Sequence, residues 1–146
     1  MAKSPQPTYQ DAELILKLYD MRRETKMREA RGWFFGSFKC KTLSDFMQLC
    51  PPGTEHNAHF RQVASYWDMV GSFVNTDILN ADLLFMNTRE LLVCWERIKP
   101  LIPELRANAK DANYLGNLEK AGEAFGTWIR QTSGDEAYTS FIARLV

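Results

Sequence analysis

The segment TEHNAHFRQVASYWDMVGSFV, Thr54 to Val74, decides the fold, because its apolar residues recur at helical and not at strand spacing. At about 100° per residue, Val63, Tyr66, Trp67, Val70 and Phe73 share one side of a helix with His56 and His59. Arg61, Ser65, Asp68 and Ser72 fall on the other side. The two histidines, the only ones in the chain, are therefore expected to face the core. Thr54 caps this helix, and Cys50-Pro51-Pro52-Gly53 before it cannot continue a helix.

Working outward, the same periodicity returns nearly everywhere, and no alternating run bounded by turn chemistry reads as a strand. Upstream, Thr8 with Asp11 three residues on opens a first helix that runs to about Arg31, with Leu14, Ile15, Leu18 and Met21 on its buried stripe. Gly32 and Gly36 loosen Trp33-Phe34-Phe35-Gly36-Ser37-Phe38, and a bend or break is expected there. Thr42 to Asp45 repeats the capping pattern before Phe46, Met47 and Leu49.

Downstream, a helix from about Asp77 to Lys99 follows the turn Asn75-Thr76-Asp77, then a break at Pro100 and Pro103 and a short helix through Leu105. The next helix, about Asp111 to Gln131, has Gly122 and Gly126 beside its apolar stripe, a spacing that admits a close partner helix. Ser133 to Glu136 reads as a capping box before Tyr138, Phe141, Ile142 and Leu145. The expectation is an all-α, single-domain bundle of about six or seven helices over residues 1–146, with 1–8 flexible.

Hydrophobic residues make up 45% of the 146 and charged residues 25%, in the range of ordinary globular domains. Zero formal net charge argues against nucleic acid as a partner, since such binding is driven largely by phosphate neutralisation. Cys40, Cys50 and Cys94 are an odd number without tight spacing, which suits a reducing cytoplasm better than a disulfide framework. The first ten residues lack the apolar core of a signal peptide, and Leu83 to Trp95, the most apolar stretch, is interrupted by Asn87, Arg89 and Glu90. A cytoplasmic protein with no membrane partner is expected.

His56 and His59 lie one turn apart and could bind a metal, but zinc wants three or four ligands, and the spacing is not that of metalloproteases. A packing role with Phe60 and Val63 is the simpler reading. Lys17 to Lys41 holds eight Lys or Arg among aromatic residues, yet the charges are scattered around the first helix, so a solvated face beside a buried aromatic plug fits better than a base-stacking surface. Arg22 and Glu29, close to the buried stripe, suggest structural ion pairs with partners elsewhere. Cys94, among Leu91, Val93 and Trp95, has no nearby base to activate it. If Tyr66, Trp67, Trp95, Tyr114 and Trp128 converge, they line an apolar pocket for a small ligand.

The pattern Tyr66-Trp67-Asp68-Met69-Val70-Gly71, Asp77-Ile78-Leu79, Trp95-Glu96-Arg97-Ile98-Lys99-Pro100-Leu101-Ile102 and Arg106 resembles a family of short, helical, mostly bacterial hypothetical proteins of unknown function. That resemblance implies an all-α fold and a bacterial source, and transfers no catalytic residue. No phosphate loop, nucleophile with its base, paired carboxylates or cofactor motif stands in the sequence. The reading is a non-enzymatic module for association with itself or another protein, with a small-molecule-binding bundle as the alternative and a His-dependent metal protein third.

Overall fold

The computed structural model describes residues 6–145. Among the described residues nine α-helices follow in order: α1 Tyr9–Arg22, α2 Thr25–Ser37, α3 Leu43–Leu49, α4 Glu55–Asn75, α5 Ala81–Asn87, α6 Glu90–Ile98, α7 Ile102–Ala109, α8 Gly116–Ser133 and α9 Asp135–Ala143, with a 3-10 turn Lys99–Leu101 before α7. No strand occurs among the described residues. Of the segment 1–8 that was expected to be flexible, residues 1–5 lie outside the described residues.

The Thr54 helix is the central element, with α2 packed along one side and α8 along the other; α6 and α9 complete the layer around α8. Its stripe is buried as its periodicity requires: Val63, Trp67 and Val70 are at most 1% exposed. Three phenylalanines from two helices and the chain between α2 and α3 form a ladder beneath it, with Phe34 on Phe38 at 4.9 Å and Phe38 on Phe60 at 5.2 Å between ring centroids. Removing such a ring to alanine costs about 3–5 kcal/mol.

The helix count exceeds the expected one because two long helices are each broken in two. The first breaks at Arg23 and Glu24, where the Glu24 carboxylate accepts the Met27 N–H at 3.0 Å and starts α2. The expected bend at Gly32 and Gly36 does not occur; α2 runs straight through both. The second breaks at Thr88, which is extended (φ −154°, ψ 152°) and whose hydroxyl accepts the Glu90 N–H that opens α6.

Two other starts move. Lys110 and Leu115 are left-handed (φ 54° and 57°), and the Asp111 carboxylate accepts the Asn113 N–H, so residues 111–115 form a turn and α8 begins at Gly116. The capping box expected at Ser133 is absent: Ser133 ends α8, and Gly134 at φ 95° reverses the chain into α9 with no side-chain cap. The glycine pair behaves as its spacing predicts. A Cβ on Gly122 would stand 2.4 Å from the Trp95 ring, and one on Gly126 3.0 Å from Tyr138.

Candidate functional site

A wide surface opening follows from the break in the first long helix. Because the chain turns at Arg23, Met21 is swung off the buried stripe it was expected to join and is half exposed. A groove of about 570 Å³ results between this corner and α4, with Met21, Met27, Tyr66 and Met69 as its apolar walls and Glu24 and Gln62 on its rim. Tyr66 is held in its floor by donating its hydroxyl to the Leu18 carbonyl at 2.6 Å, and burial pushes the phenol up to about 12. Methionine suits such a surface because its unbranched thioether adapts to what it meets.

The corner is fastened from behind by charge. Arg31 of α2 donates through Nε and Nη2 to both oxygens of Glu90 in the first turn of α6, and through Nη1 to the Arg22 carbonyl at the end of α1. Arg22 reaches the same carboxylate at 3.8 Å, and its guanidinium lies over the Trp67 ring at 5.5 Å. The partner of Arg22 is thus Glu90; Glu29 is exposed. In front of the corner, α1 leaves Leu16 at 67% and Tyr19 at 50% exposure, with Arg22 and Arg23 at the Tyr19 ring.

The two histidines do not both face the core. His56 lies in the first turn of α4, is exposed, and stacks on Trp33 at 5.2 Å; His59 is half-buried, tilted against the same indole at 5.9 Å. The apolar stripe begins only at Phe60, and Asn57 takes the inward position, its amide donating to the Cys50 carbonyl at 3.0 Å. Glu55 approaches His59 at 3.8 Å, but no group of three or more His, Cys, Asp or Glu among the described residues could hold a metal ion.

Of the five aromatic residues proposed to line a pocket, the structure brings one pair into ring contact: Tyr66 and Trp67, edge to face at 4.9 Å. Trp95 packs on Gly122 and donates its indole N–H to Glu123 at 2.9 Å. Trp128 joins Phe85 and Phe125, and Tyr114 stands half-buried in the turn before α8, its phenol raised by burial. The space beside Tyr66 and Trp67 is about 10 Å³, room for about one water. Cys94 is fully buried, which raises its thiol well above the usual range and leaves it a packing residue.

Sequence reasoning missed the groove because its cause is a helix break capped by glutamate, a residue outside the usual Ser, Thr, Asp and Asn set. The signal was Glu24-Thr25 three residues ahead of Met27.

The family model described as Domain of unknown function (DUF4760) matches residues 7–125. The chain belongs to this family. The DUF4760 span takes in α1 to α7 and α8 as far as Phe125, so the groove, the Glu90 node and the Trp33 stack all lie inside it, while α9 lies beyond. The resemblance read from residues 66–106 falls within the same span, and the family is one of unknown function, as that resemblance implied. No curated protein and no solved structure matches the chain. No helix among the described residues is long and apolar enough to cross a membrane.

Proposed function

We propose that this DUF4760 domain is a helix-mediated association module whose partner is a second copy of the same chain. The observation that carries the reading is a ridge beside a groove: Leu16 and Tyr19 stand out from α1, and the methionine-walled groove opens at Met21, the end of the same helix. A two-fold axis sets the ridge of one copy into the groove of the other and repeats the contact in reverse, the self-complementarity that closed dimers need.

Charge supports the same pairing. Among the described residues Arg23 has no carboxylate within ion-pair distance, Glu24 on the groove rim is bonded by the backbone N–H groups of Lys26 and Met27, and a two-fold contact brings each opposite the other. Zero formal net charge removes long-range repulsion between copies. Three free, buried cysteines support placing this association in the cytoplasm.

Light scattering over a concentration series tests the reading. A reversible dimer is expected, and Leu16→Glu, at an exposed position, is expected to give monomer with an unchanged thermal midpoint. A strict monomer at high concentration, or a dimer indifferent to Leu16→Glu and Met69→Glu, overturns it. One observation favours a second reading: a volume of about 570 Å³ lies within the roughly 300–1,000 Å³ of small-molecule pockets, and Tyr66 in its floor was among the residues expected to line one. An apolar ligand that protects the monomer against heat, and loses that effect in Met69→Glu, would establish this alternative.

A further inference from the structure

A second cavity, of about 260 Å³, opens where the end of α2, α6 and α9 meet, lined by Lys39, Lys41, Glu96, Arg97, Ile142 and Leu145, with the buried Cys40 between the lysines. Arg97 projects from the last turn of α6 under the C-terminus of α2. Its Nη1 donates to three carbonyls there, those of Phe34 at 3.3 Å, Phe35 at 2.9 Å and Phe38 at 3.1 Å. Backbone oxygens carry partial charge only, so the cation gains no neutralising partner from them. The other edge of the same guanidinium is unused: Nε is buried without a partner, and Nη2 makes no bond among the described residues.

Burial lowers the Arg97 guanidinium from its usual range, with no carboxylate acting to raise it. Glu96 is the acid facing the cavity, and one of its oxygens is occupied by the Tyr138 hydroxyl at 2.7 Å. Lys39 and Lys41 are exposed, and neither ammonium group is paired among the described residues. The wall opposite is apolar, formed by Ile142 at the end of α9 and Leu145 just past it, both half-buried.

From this juxtaposition we infer that the α2–α6–α9 cavity is a binding site for a small carboxylate with a short apolar body. The carboxylate meets Nη2 of Arg97 between the two lysines, and the body lies on Ile142 and Leu145. Nε is closed off by burial, so Nη2 is the guanidinium donor within reach of the ligand, and its charge-assisted bond to a carboxylate oxygen is reinforced by the two ammonium groups. The volume falls below the roughly 300 Å³ of ordinary small-molecule sites, which restricts the ligand to a short chain. The wall supplied by α9 lies outside the DUF4760 match, so the site belongs to this chain's own C-terminal helix and is independent of the α1–α4 groove.

Titration with hexanoate, followed by backbone amide shifts in two-dimensional NMR, tests the assignment. Shifts are expected at residues 39–41 and 142–145, with neutral hexanamide binding at least about tenfold more weakly, since the charge-assisted bonds are lost. Arg97 also holds the end of α2, and its removal threatens the fold. The test therefore rests on the exposed pair Lys39→Gln with Lys41→Gln, which should weaken hexanoate by roughly three- to tenfold at low salt with the thermal midpoint unchanged. Ile142→Asp should abolish binding. Equal affinity for hexanoate and hexanamide overturns the proposal, as does binding indifferent to both variants, or no shift up to roughly 10 mM, weaker than the usual limit of specific recognition. Tighter binding of hexyl phosphate than of hexanoate would overturn the assignment of a carboxylate.

Discussion

Gly122→Ala adds one methyl group at the tightest contact between α6 and α8. The new carbon would stand 2.4 Å from Cδ1 and Cγ of Trp95 and 2.6 Å from its Cβ, far inside contact distance. These are the root atoms of the side chain, which cannot swing aside without moving α6 itself. The indole is 1% exposed and tied by its N–H to Glu123 at 2.9 Å, so rotation would also break that bond. Forcing an extra methyl into a packed core costs about 1–3 kcal/mol, here at the upper end because three atoms collide at once. Replacing glycine by alanine within a helix returns roughly 1 kcal/mol of propensity. The balance is a loss of about 2 kcal/mol, or roughly 4–8 °C in thermal midpoint for a chain of this size.

Urea unfolding followed by tryptophan fluorescence reads the loss as a lower midpoint at unchanged slope. Gly32→Ala is the matched control: it too is inside a helix, but its added carbon would meet nothing within 4 Å. It should gain up to about 1 kcal/mol. If Gly122→Ala proves as stable as the parent, the claim that these two helices touch through a bare backbone is wrong.

The remaining predictions concern polar links between helices. The Thr8 N–H first, and then the Asn80 N–H, hold the Asp11 carboxylate below its usual 3.8, so its stabilisation is present above that value and is lost as pH falls through the lower folded value. Asp11→Asn should cost roughly 1 kcal/mol near neutrality and flatten the acid limb of a stability–pH profile below about pH 4; an unaltered limb would count against that role. Glu90→Gln leaves Arg22 and Arg31 sharing an uncharged acceptor and should lower stability by about 1–3 kcal/mol in urea melts, with Arg31→Met giving less than an additive loss in the double variant. Asp68→Ala removes the carboxylate that accepts the Leu118 N–H at 2.9 Å, and should cost about 1 kcal/mol and speed amide exchange in the first turn of α8.

Local signals were legible wherever the partners sat within four residues of one another. Thr8 with Asp11 and Thr42 with Asp45 form capping boxes as read, Thr54 caps α4, and Pro51-Pro52-Gly53 separates α3 from α4. The apolar stripe from Val63 to Val70 is buried, and Gly122 and Gly126 do meet other helices closely. What failed was the extension of periodicity across weak breaks. Nothing in the apolar spacing marks Arg23 or Thr88, and an exposed first turn carries His56 outward although its angle matches the stripe below.

Composition and short-range spacing therefore settled that this protein is helical, where most of its helices lie and which stripe of the central one is buried, because helix hydrogen bonds and capping bonds join neighbours in sequence. The tertiary structure alone decided how several helix ends are satisfied. Asp68 of α4 caps the start of α8, whose own cap position holds Leu115; Arg97 of α6 closes α2; Arg31 of α2 closes α1. Each of these charges finds the dipole of another helix, across as many as 63 residues for Arg97 and Phe34, and such pairings appear only once the helices are packed. The methionine groove and the unpartnered Nε of Arg97 are products of that same packing, which is why no local motif announces either.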